Sequence, residues 1–93
     1  MPLYTFIMEF AGGTYISQVE AESPTLACLK WAKNLDTSEI YGLGLKGKGV
    51  LIEEMNKKIP EPLNGILNTW FTSALIQGKS AYINFVQTEY KAV

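Results

Sequence analysis

Histidine and arginine are both missing from this chain, and cysteine occurs once, at Cys28. Each absence removes a class of function. Without histidine there is no imidazole to serve as general base for a cysteine or serine nucleophile, and none to ligate a transition metal. Without arginine there is no guanidinium fork for phosphates or base edges. Eight lysines against nine acidic residues give a net charge of −1, so no clustered positive field replaces it, and nucleic acid is not an expected partner. One cysteine cannot close an intramolecular disulfide, and nothing points to an oxidising compartment. Nor does any apolar run approach the ~18 to 20 residues of a membrane span. The opening run from Leu3 has no basic flank and meets Glu9 before a signal-type apolar core is complete. The expected setting is the cytoplasm, away from membranes.

What remains is a chain of 93 residues, 47% hydrophobic and 12% aromatic, enough to close one core and to form one domain over residues 1–93. A domain of this size buries only about 60 to 65% of its unfolded surface. Modest stability follows, and self-association would add to it.

Residues 3 to 10 alternate with the period of a half-buried strand, Tyr4, Phe6, Met8 and Phe10 against Leu3, Thr5, Ile7 and Glu9. Gly12-Gly13 reads as a hairpin turn, and Thr14 to Ala21 as the returning strand, with Tyr15, Val19 and Ala21 on the core side and Ile16 opposite. Ser23-Pro24 combines a capping oxygen with a proline that sacrifices no hydrogen bond at a helix start. The helix is expected to run to about Leu35, with Ala27, Cys28, Trp31, Ala32 and Leu35 on one stripe. Asp36-Thr37-Ser38 offers a further cap and one short turn.

A second helix is expected from Val50 to about Lys58, presenting Leu51, Ile52, Met55 and Ile59 together and flanked by Glu53–Lys57 and Glu54–Lys58 pairs. Pro60 stops it. Residues 68–76 and 81–90 then read as a second hairpin around Gln77-Gly78-Lys79-Ser80. The expected fold is α+β: an antiparallel sheet of about four strands in the order ββααββ, with helices packed on one face.

Gly42-Leu43-Gly44-Leu45-Lys46-Gly47 spells G-x-G-x-x-G before a helix, and with Lys48 and Gly49 it is the candidate anion-binding loop. The surrounding context of a dinucleotide fold is missing: no clear strand precedes the glycines, and a prolyl turn follows the helix where a parallel strand is required. The competing reading is a connector whose Tyr41, Leu43 and Leu45 tuck against the sheet or a neighbouring chain.

Other chemistry is scarcer. Cys28 falls on the apolar stripe and reads as a buried, inert thiol. Glu53 and Glu54 point to different helix faces and have lysine partners, while Glu9, Glu20 and Glu22 are scattered, so no carboxylate pair suited to acid–base work is visible. No enzyme activity, metal site or cofactor is expected. The aromatic residues of the strands read as core filling in the absence of basic neighbours.

The informative feature is the second face of the sheet. Leu3, Ile7 and Ile16 lie opposite the core side of the first hairpin, and Phe71, Leu75, Tyr82 and Val86 place apolar groups opposite Trp70, Ala74, Ile83 and Phe85 in the second. One helix layer covers one face. The expected function is therefore a noncatalytic interaction or regulatory module, a homodimer or the binder of a protein partner, using the free sheet face or an edge. A small-ligand or anion-binding domain centred on residues 42–49 is the alternative.

Overall fold

The computed structural model describes residues 1–88. Strands β1 (Leu3–Phe10) and β2 (Gly13–Glu20) form the first hairpin. Helix α1 (Pro24–Asn34), a 3₁₀ turn at Thr37–Glu39 and helix α2 (Gly44–Lys57) follow. A two-residue strand β3 (Glu61–Pro62) precedes the second hairpin, β4 (Thr69–Ile76) and β5 (Lys79–Thr88). All pairings are antiparallel, and the strand order is β2-β1-β5-β4-β3. The sheet thus has five strands where about four were expected, and the order ββααββ gains a short strand after the second helix. The added one is short because Pro60 and Pro62 limit how many ladder bonds the segment can donate.

Both hairpins turn in the same way. Ala11 and Gly12 have φ of 49° and 82°, and Gln77 and Gly78 have 50° and 82°, the paired positive values of a two-residue turn whose twist matches the strands it joins. The first turn is therefore Ala11-Gly12, which frees Gly13 to pair with Phe10, and the second is Gln77-Gly78, with Lys79 and Ser80 already in β5. The expected continuation of the last strand to Tyr90 lies outside the described residues.

The chain leaves β2 at one edge of the sheet and re-enters at β3 on the other, so α1 and α2 must cross the width of the sheet, and both do so on the same face. At the start of α1, Ser23 Oγ accepts from the Leu26 amide at 3.2 Å with Pro24 in the first turn, as its sequence requires. The α1 stripe Ala27, Cys28, Trp31 and Ala32 is buried, with Leu35 just beyond the helix.

Helix α2 differs from expectation. It begins at Gly44, six residues before Val50, and ends at Lys57, which leaves Ile59 80% exposed outside the stripe that buries Leu51 and Met55. Glycine disfavours helix interiors by about 1 kcal/mol each. Tertiary contact offsets that here: Gly47 is buried where a Cβ would stand 3.1 Å from Leu43 Cδ1 and 3.2 Å from Ile76 Cγ2, so a glycine lets the helix approach β4 without displacing either side chain. Of the two expected ion pairs, Lys58–Glu54 forms at 3.7 Å and is the one ion pair among the described residues.

The core is organised by a line of aromatic rings. Trp31 stacks on Phe6 at 4.9 Å, Phe6 on Phe85 at 4.3 Å and Phe85 on Trp70 at 5.3 Å, with interplanar angles of 7°, 11° and 18°. Tyr4 meets both Phe85 and Trp70 edge-on. This line links α1 to β1, β5 and β4 across the sheet.

Candidate functional site

The outer face of the sheet, opposite the helices, is read directly from the strand register. Ile16 pairs with Ile7, Ile7 with Asn84 and Asn84 with Phe71, a row crossing four strands. Val86 sits beside Thr5 and Thr69, Tyr82 beside Glu9 and Ser73, and Leu3 and Leu75 lie toward opposite ends. All seven residues expected to form an interaction surface therefore share one face. Ile16, Leu75 and Tyr82 are 65%, 61% and 52% exposed, and Leu3, Ile7, Phe71 and Val86 are half-buried. No second layer covers them among the described residues.

Five of the polar side chains interleaved on this face pair with one another. Gln18 Nε2 donates to Thr5 Oγ1 at 3.0 Å, Thr14 Oγ1 donates to Glu9 Oε2 at 2.8 Å, and the Thr5 and Thr88 hydroxyls are hydrogen-bonded. Groups already paired lose fewer water contacts when covered, which lowers the desolvation penalty of burying the face.

The glycine-rich stretch is not a loop. Gly44, Lys46, Gly47, Lys48 and Gly49 belong to α2, and only Gly42 lies before it, in a turn with φ of 82°. Of the competing connector reading, Leu43 alone is buried within the chain, while Tyr41 and Leu45 are each 80% exposed, and the segment is helical from Gly44 rather than extended. The lysines do not converge on the helix start: Lys46 is exposed, and Lys48 Nζ donates to the Leu35 carbonyl at 2.8 Å, closing off the end of α1. From Gly44 onward the segment is helical, with Gly47 alone packed closely against Leu43 and Ile76, so it does not have the geometry of an anion-cradling loop.

Elsewhere the reactive groups are held quiet. Cys28 is 1% exposed, and burial pushes its thiol up to about 12. Burial also raises the Tyr4 phenol. The Asp36 carboxyl is held below the usual carboxylate range by hydrogen bonds from the Ser38 hydroxyl and amide, at 2.6 and 3.0 Å, with a smaller contribution from Lys48. No group of three or more potential metal ligands occurs among the described residues.

A second surface lies beside β2. A groove of about 360 Å³ runs between this strand and the end of α1 with the 3₁₀ turn. Thr14 to Val19 all line it, inward- and outward-pointing residues alike, which only a space along the backbone edge of the strand allows. Tyr15 and Ile16 contribute its accessible apolar surface, with Trp31, Leu35 and Ile40 buried beneath, and Asp36 and Glu39 are its only charged lining residues. In the sequence Asp36 is legible only as a helix cap, with nothing to associate it with β2. Nothing local announces that β2 is an edge, because strand order is set by the non-local pairing of β1 with β5.

Comparison with protein-family models, curated proteins and solved structures returns no match to this chain. No helix among the described residues is long and apolar enough to cross a membrane.

Proposed function

We propose that this protein is a noncatalytic interaction module that forms a homodimer by burying the outer face of its sheet against a second copy. The observation that carries this reading is the common face of Leu3, Ile7, Ile16, Phe71, Leu75, Tyr82 and Val86, left open by a fold that sends both helices to the other side. Contiguous apolar patches beyond a few hundred Å² on small proteins mark association surfaces, and a small domain gains the most from covering one. A reducing cytoplasm suits the buried free thiol of Cys28.

Static light scattering across micromolar to submillimolar concentrations tests it. The wild-type protein is expected to reach dimer mass. Ile16→Asp combined with Leu75→Asp, both at exposed positions, is expected to hold the chain at monomer mass with an unchanged circular dichroism spectrum. A wild-type chain that stays monomeric throughout the range contradicts the reading.

A further inference from the structure

We infer that the free edge of β2 is a docking rail for an extended segment of another protein, in which an apolar residue alternates with a lysine or arginine. The two edges of the sheet are treated very differently. At the other edge β3 is two residues long and carries Pro62, and in the stretch of β4 that it leaves uncovered, Thr72–Ile76, the Ser73 carbonyl is already taken by Lys58 Nζ at 2.6 Å. At β2 the edge strand is eight residues long, with no proline and no lysine. Its only charged residue, Glu20, is at the far end, and the Glu20 carbonyl is already occupied by Lys30 Nζ at 2.7 Å. Between Thr14 and Val19, no backbone N–H or C=O of β2 bonds to any segment other than β1 among the described residues. A strand added here makes main-chain hydrogen bonds of the kind that already join β1 to β2.

The groove beside this edge defines the side chains of the occupant. Alternate residues of an added strand point inward, beside the half-buried Tyr15 and toward Asp36 and Glu39. A lysine or arginine fits both parts, its aliphatic stem along the apolar floor and its charge at the two carboxylates. The volume, about 360 Å³, is at the small end of ligand pockets and suits a few side chains in turn. Residues facing the other way fall beside Ile16 on the outer face, where an apolar side chain extends the existing row. A second copy of this chain is a poorer occupant, since β2 has no lysine to offer and pairing two β2 strands brings two acidic grooves together. The edge and the outer face share Ile16 but use different contacts, main-chain bonds with the acidic groove in one case and side-chain packing in the other, so failure of dimerisation leaves this proposal standing, and the reverse also holds.

The experiment uses the whole ¹⁵N-labelled chain and a blocked synthetic peptide of alternating valine and lysine. A valine–glutamate peptide and a valine–lysine peptide N-methylated along one edge serve as controls. The expected result is a saturable shift of the Thr14–Glu20 amides with the valine–lysine peptide alone. Asp36→Asn with Glu39→Gln, in which asparagine retains the ability to cap, weakens that binding roughly fivefold or more. Four outcomes overturn the proposal: no saturable change on β2, equal binding of the glutamate peptide, shifts confined to β3 or the outer face, or β2-to-β2 pairing between two copies of the free chain.

Discussion

Phe6 and Trp31 lie face to face, with centroids 4.9 Å apart and planes 7° from parallel, so the helix that leaves the sheet at β2 is pinned back onto the neighbouring strand β1. Both residues are essentially inaccessible to water. Replacing Trp31 with alanine removes the ring and leaves a cavity over Phe6, an expected loss of about 3 to 5 kcal/mol in urea unfolding. Trp31→Phe keeps a stacking partner and is expected to lose clearly less.

The glycines of α2 divide into two kinds. At Gly49 an added Cβ meets nothing within 4 Å, whereas at Gly47 it meets Leu43 and Ile76. Gly49→Ala is therefore expected to raise stability by about 0.5 to 1 kcal/mol through helix propensity alone. Gly47→Val is expected to lower it by about 1 to 3 kcal/mol, since the branched side chain forces α2 away from β4. Thermal and urea denaturation of the two variants measures both.

Cys28 gives the fold an alkaline limit. Its thiol ordinarily ionises near pH 8.5, and in the fold it is pushed up to about 12 by burial. A raised acid favours the neutral form, so its contribution is complete below the unfolded value and is lost as the pH rises between the two. Cys28→Ala is expected to be less stable at neutral pH but to show a shallower loss of stability from pH 9 upward. The Tyr4 phenol, shifted the same way, leaves a residual slope. Urea midpoints against pH for both proteins provide the measurement.

Lys48 is predicted to matter through its hydrogen bond to the Leu35 carbonyl, which fastens the end of α1 to α2. Lys48→Met keeps most of the stem and removes the donor. The expected cost is about 1 to 2 kcal/mol, and amide exchange near Leu35 should quicken.

The sequence made the outer face legible because period-two alternation assigns sides to a strand without knowledge of its neighbours. Leu3, Ile7 and Ile16 could thus be grouped with Phe71, Leu75, Tyr82 and Val86 before their register was known. The start of α2 was hidden for the opposite reason: Gly44, Gly47 and Gly49 carry turn-forming local preferences, and the contact of Gly47 with Leu43 and Ile76 that outweighs them is invisible to a local pattern. The β2 groove was hidden too, since Asp36 and Tyr15 become neighbours only after α1 has folded back along the sheet edge.

Site-resolved dilution is the most direct test of the association on which the proposed function rests. In ¹³C-methyl spectra recorded from submillimolar to micromolar concentration, dilution-dependent shifts are expected at Ile7, Ile16, Leu75 and Val86, with the core methyls of Leu51, Ile76 and Ile83 unmoved. Methyl positions that do not change on dilution, or changes confined to Ile59, Ile66 and Leu67 beyond the sheet face, would contradict it.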